Sequence, residues 1–181
     1  MSYEGAITLS RRALLRGAGA TGLIVATAGV ATLGAASPAL AVQDNWRWCR
    51  DCEGLWFAGN GWGRCPAGGG HTRFGSGNYT LRFQADGGAG QDDWRWCRRC
   101  QGLWFAGNPG SGRCPAGRGG HSMRGSGFYR LSHGAGPGQD DWRWCRRCQG
   151  LWYGGHDHRG RCPAGGQHSR RGSGNYHLPH Q

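Results

Sequence analysis

The chain has 181 residues, among them 38 Gly, nine Cys and ten Trp, and its 22 basic residues are all Arg, against 10 Asp and Glu, for a formal net charge of +12. That balance favours anionic partners. The density of glycine and the lack of a 3.6-residue apolar period after residue 41 exclude a helical domain, and no later stretch is long or apolar enough to cross a bilayer.

Residues 1–41 are poor in Cys and Trp and read as an address. Ser10-Arg11-Arg12-Ala13-Leu14-Leu15-Arg16 resembles the twin-arginine export signal of bacteria, an apolar run from Ala18 to Ala36 follows, and Ala39 and Ala41 form a small-x-small cleavage site. Many glycines and the Ala-Leu-Ala ending suit cleavage better than a membrane anchor. The resemblance implies export of an already folded protein, which is then secreted and extracellular. Thiolates would capture metal before an oxidising exterior could pair them. The part from Val42 onward keeps 19 Arg against 9 acidic residues, a net of +10. Three Cys3His zinc sites, each about one negative charge, would lower that to about +7. Arg in place of Lys, with abundant Gly and Ala, also fits a bias of genomic base composition, and both readings stay open.

The remainder divides into three repeats, 42–86, 87–136 and 137–181. Gly-rich linkers or long turns at 84–91 and 132–139 connect them. Cys49, Cys52, Cys65 and His71 recur about 48 residues later, at nearly the same spacing, as Cys97, Cys100, Cys114 and His121, and again as Cys145, Cys148, Cys162 and His168. Between the second and third cysteines lie 12, 13 and 13 residues, and between the third cysteine and the histidine 5, 6 and 5. Insertions therefore fall in Gly-rich turns between fixed ligand-bearing ends. Three cysteines per repeat is an odd number, and disulfides give no reason for a matched histidine, so metal is preferred. Cys3His completes a tetrahedral ligand set with no open position, the pattern of a structural zinc site, and the expectation is three structural zinc ions. Units of about 40 residues need such a clamp to fold.

Within each unit the reading is short strands. Trp46 to Cys49 is strand-like, Cys49-Arg50-Asp51-Cys52 turns two thiolates toward one point, Leu55 to Ala58 returns, and Gly77 to Phe83 forms a third strand. Cys65-Pro66-Ala67-Gly68 resembles the Cys-Pro knuckle of zinc-ribbon and rubredoxin-like sites, although a histidine stands where those sites place the second cysteine of a pair. The expected fold is small, all-β and metal-stabilised: three tandem zinc-ribbon-like antiparallel repeats arranged as separate beads. The alternative is a closed, trefoil-like pseudo-threefold fold.

Strand alternation puts Trp46 and Trp48 on one face, with Arg47 opposite, and Leu55 and Phe57 opposite Trp56. A small unit with metal on one side can hardly bury rings on both faces. Some of Trp46, Trp48, Trp56, Trp94, Trp96, Trp104, Trp142, Trp144 and Trp152 are therefore expected to be exposed or covered only by a neighbouring repeat. With Arg47, Arg95 and Arg143 beside them they form a candidate ligand surface. Trp62, confined to the first repeat, reads as incidental. The leading function is non-catalytic binding of cell-surface or extracellular polysaccharide, or of another anionic surface polymer, through several linked sites. Single-stranded nucleic acid is a less favoured polyanion, because of the location, and would show a steep loss of affinity with salt. A structural or protein-interaction spacer is a third reading.

Catalysis is not expected. Ser76, Ser126 and Ser173 recur in Gly-Ser-Gly without a recurring acid and free histidine, which suits a turn. Asp92-Asp93 and Asp140-Asp141 become Asp44-Asn45 in the first repeat, so a strand-entry turn or an Arg partner suffices. His156 and His158, a His-x-His found only in the third repeat, read as an accidental surface pair in preference to an extra metal site.

Overall fold

The computed structural model describes residues 41–181; the expected export signal falls, apart from Ala41, outside the described residues. Each repeat contributes three strands. They are β1 (Val42–Trp48), β2 (Leu55–Phe57) and β3 (Tyr79–Phe83); β4 (Gln91–Trp96), β5 (Leu103–Phe105) and β6 (Phe128–His133); and β7 (Gln139–Trp144), β8 (Leu151–Tyr153) and β9 (Tyr176–Leu178). Among the described residues there is no α-helix, and every strand pairing is antiparallel.

In each repeat the first strand pairs with both others. Its ladder is shifted by a bulge at Gln43/Trp46, Gln91/Trp94 or Gln139/Trp142. Asn45, Asp93 and Asp141 lie in that bulge at φ of 63 to 65°. Asn and Asp tolerate this left-handed backbone better than other non-glycine residues, which explains an Asp or Asn before every Trp-Arg-Trp. The hydroxyl of the Gly-Ser-Gly serine accepts the next backbone N–H of the first strand: Trp48 N to Ser76 Oγ is 2.8 Å, Trp96 N to Ser126 Oγ 2.7 Å and Trp144 N to Ser173 Oγ 2.8 Å. These serines are tied to the backbone at the mouth of the last strand.

The repeats do not stand apart as beads. β3 pairs β6 and β6 pairs β9. The tail beyond β9 returns to β3, with Thr80 N donating to Pro179 O and Asn78 N to Gln181 O, both at 3.0 Å. One core joins all three units: Trp46, Leu55, Tyr79 and Leu81 pack with Trp94, Leu103, Tyr129 and Leu131 and with Trp142, Leu151, Tyr176 and Leu178. Its contacts run in a cycle. Trp46 meets the edge of Tyr129 at 5.3 Å, Trp94 that of Tyr176 at 5.3 Å, and Trp142 that of Tyr79 at 5.1 Å. Each tyrosine hydroxyl donates to a glutamine at the start of a first strand: Tyr129 to Gln43, Tyr176 to Gln91 and Tyr79 to Gln139. Burial pushes all three phenols up to about 12, so they remain protonated donors.

The expected small all-β architecture with three Cys3His repeats is thus present, and two details differ. A shared core replaces the beads, because one repeat alone cannot cover its own Trp, Leu and Tyr face. The named strands pair along an open path whose ends, β2 and β8, meet only through the isolated bridge between Gly54 and Trp152, so the sheet is not closed as the trefoil-like alternative expects, although the shared core of that alternative is present.

Candidate metal centres and a basic basin

Three clusters sit behind the second strands. In each, the turn between the first two cysteines is closed by the backbone bonds Glu53 N to Cys49 O, Gln101 N to Cys97 O and Gln149 N to Cys145 O, all 2.7 Å. The residue after the second cysteine, Glu53, Gln101 or Gln149, takes φ of 64 to 66°. The Cys-Pro-Ala-Gly turn brings in the third thiol, and the histidine supplies Nδ1. The structure therefore gathers Cys49, Cys52, Cys65 and His71; Cys97, Cys100, Cys114 and His121; and Cys145, Cys148, Cys162 and His168, with all donor atoms of a group within 4.8 Å of one another.

Their spacing can be tested against a bound ion. A tetrahedral centre with metal–sulfur bonds of about 2.3 Å and a metal–nitrogen bond of about 2.05 Å places sulfurs about 3.8 Å apart and sulfur and nitrogen about 3.55 Å apart. First and third thiols are 3.9 Å apart in every cluster. The second thiol lies 3.6, 3.5 and 3.6 Å from Nδ1. These are free thiols, far outside disulfide contact. Each group can hold a metal ion with every position filled by protein.

Electrostatics within the clusters point the same way. Hydrogen bonds from Cys52 and Cys65 hold the Cys49 thiol well below the ordinary range, as those of Cys100 and Cys114 do for Cys97 and those of Cys148 and Cys162 for Cys145. Its hydrogen bond with Cys49 pushes Cys65 up to about 12. Burial opposes charge on His121, but its bonds with Cys114 and Cys97 outweigh that and push the imidazole up to about 9; His168 behaves alike between Cys145 and Cys162. A depressed thiol in each cluster favours the thiolate that a dication needs, and metal binding displaces thiol protons.

The other imidazole nitrogen couples the clusters. Nε2 of His71 faces the Cys100 carbonyl at 3.2 Å, that of His121 the Cys148 carbonyl and that of His168 the Cys52 carbonyl, both also at 3.2 Å. Each repeat thus orients its ligand histidine against the next repeat's ligand turn, the arrangement that fixes tautomer and ring orientation at a metal. The glycine ahead of each Arg-Cys-Pro makes the close approach possible. At Gly63, Gly112 and Gly160, φ is 58, 62 and 55°, and a Cβ would collide with the same Cys100, Cys148 or Cys52 carbonyl.

The tryptophans require a correction. Trp46, Trp94 and Trp142 are buried in the shared core, and Trp56, Trp104 and Trp152 are buried against the clusters, so none of these six offers a ring to a ligand. The latter three stack on the ligand histidines, Trp56 on His71 at 5.2 Å and 15°, Trp104 on His121 at 5.3 Å and 18°, and Trp152 on His168 at 5.3 Å and 12°. Trp48, Trp96 and Trp144 are half-buried, and their indole N–H groups are engaged by Glu53, Gln101 and Gln149. Arg95 is buried and bound to Asp93 and the Trp94 carbonyl, Arg143 is bound to Asp141 and Gly174, and Arg47 to Gly77. These arginines brace the first strands. Alternation assigned the faces correctly, but the neighbouring repeats that cover them were invisible to it.

The structure adds a feature that periodicity alone did not single out. The three Cys-Pro turns converge on one open basin of about 930 Å³, and Arg64, Arg113 and Arg161, one from each repeat and all exposed, line it with Arg118. The signal was present as the arginine preceding the third cysteine of every repeat. Elsewhere, exposed Phe74, Trp62 and Phe128 lie beneath the guanidinium groups of Arg50, Arg73 and Arg95, at 5.3, 5.5 and 4.0 Å. Compared with protein families, curated proteins and solved structures, the chain matches none.

Proposed function

We propose that this is an exported, non-catalytic module whose three Cys3His groups hold structural zinc and whose threefold arginine basin binds an acidic cell-surface or extracellular polysaccharide. Zinc is the choice because a closed tetrahedral set of three thiolates and one imidazole suits it and leaves no place for a reacting water. Export rests on the twin-arginine-like segment ahead of Val42, a route for a chain that folds around its metal first.

One observation carries the ligand reading: Arg64, Arg113 and Arg161 line a single open basin, each beside the Cys-Pro turn of a Cys3His group. Guanidinium groups favour planar, paired bonding to carboxylate and phosphate oxygens. Three such groups around one axis suit a polymer that presents anionic groups at close intervals, and rigid anchoring lowers the ordering cost of binding. The basin is wide and shallow in polar chemistry other than cationic donors, which suits sugar acids better than a small neutral ligand.

The test is a glycan and wall-polymer array with single-stranded oligonucleotide controls, probed with the wild type and with an Arg64→Gln/Arg113→Gln/Arg161→Gln triple variant. Binding of acidic polysaccharide that disappears in the variant, at unchanged metal content, supports the proposal. Equal binding by the variant, preference for neutral glycans, or preference for oligonucleotides overturns it.

A further inference from the structure

His156 and His158, expected to be an accidental surface pair, lie against the one buried carboxylate of the first repeat. Glu53 has no exposed surface, and its Oε2 accepts the Trp48 indole N–H at 2.8 Å and faces His156 Nδ1 at 3.0 Å. Its Oε1 has no hydrogen bond and lies 3.5 Å from His158 Nε2. Donor atoms of the three residues all fall within 4.8 Å of one another.

The equivalent places in the other repeats show that the fold does not need this charge. Gln101 and Gln149 accept the Trp96 and Trp144 indoles at 3.0 and 3.1 Å. Asn108, which occupies the loop position of His156, donates to Gln149 at 2.8 Å across its own repeat boundary. A neutral amide pair therefore closes that seam, while the seam between the third and first repeats carries a carboxylate and two imidazoles. Burying an ionised carboxylate is unfavourable unless it is compensated. Among the described residues the ionic partners of Glu53 are these two imidazoles alone.

We propose that Glu53, His156 and His158 bind a fourth divalent transition-metal ion of the zinc class, bridging the first and third repeats. The unbonded Oε1 is the free acceptor such an ion would take, and two imidazole nitrogens with one carboxylate are a donor set that suits it. His158 Nε2 lies 3.5 Å from that Oε1, and one donor atom from each of the three residues falls within 4.8 Å of the others, a spread that one ion can span. His156 and His158 are 43% and 59% exposed, so the remaining position opens to water and the ion exchanges more readily than those of the Cys3His groups. The site stands on residues outside those groups and outside the arginine basin, and it holds or fails independently of the polysaccharide reading.

The experiment is zinc titration of the metal-loaded full chain by calorimetry and native mass spectrometry, after mild chelation that leaves the Cys3His ions in place. Wild type should take up one additional equivalent. Glu53→Gln, which restores the residue of the other two repeats and keeps the Trp48 bond, and His156→Asn/His158→Ala should each lose that equivalent while retaining three ions. Saturation of the wild type at three ions, or a fourth ion that persists in both variants, overturns the proposal.

Discussion

Trp104 lies flat on His121 and packs, buried, among Cys97, Cys100 and Cys114, whereas Trp62 stands at the surface in the first repeat only. Trp104→Ala is expected to destabilise the protein by about 3–5 kcal/mol, as other deletions of large buried aromatic groups do. Trp62→Ala should stay within about 0.5 kcal/mol. Chemical denaturation of the metal-loaded protein checks both. At this scale the donor groups were legible in the sequence, because four donor positions recurring three times leave little freedom in what gathers in each cluster. Exposure of the tryptophans was not legible. Strand alternation says which face Trp46 or Trp56 occupies, but a buried fraction depends on what lies opposite, and Tyr129 approaches Trp46 from 83 residues along the chain.

Between elements, a cycle of cross-repeat bonds joins each ligand turn to the next. His121 Nε2 reaches the Cys148 carbonyl, and Phe105 N donates to Gln149 O at 2.9 Å, as Phe57 N does to Gln101 O and Tyr153 N, at 2.8 Å, to Glu53 O. Gly112→Ala sets a methyl group against the Cys148 carbonyl at a positive φ and should lower the thermal midpoint and speed metal loss from the second and third clusters together. Gly110, with open space around its Cβ position, provides the comparison: Gly110→Ala costs only the strain of its φ of 85°. Chelation kinetics followed by a colorimetric zinc indicator distinguish the two variants. The short strands and the Cys-x-x-Cys turns could be read from Trp-Arg-Trp-Cys and Leu-Trp-Phe. The bonds between repeats could not: some run from backbone to backbone, and the side chains that make the others, the cluster histidines and the Tyr–Gln pairs, carry no mark of which repeat they reach.

For the molecule as a whole, three small units share one core and three Cys3His groups that could each hold a metal ion. Cys97→Ser removes one of the four donors of the second group, and through the shared core it should weaken the whole protein, giving a single broadened unfolding transition at lower temperature with no intact two-repeat remainder. That outcome reverses what beads would give, and calorimetry reads it directly. Sequence spacing made the threefold repetition plain. It left the choice between beads and a joint core open, because both need the same ligands in the same order and differ only in what Leu81, Leu131 and Leu178 face. The most direct measurement is native mass spectrometry of the purified chain, paired with a thiol count under denaturing, non-reducing conditions. The account predicts three tightly held zinc ions and nine reduced thiols in one folded species; a metal-free protein with paired cysteines would contradict it.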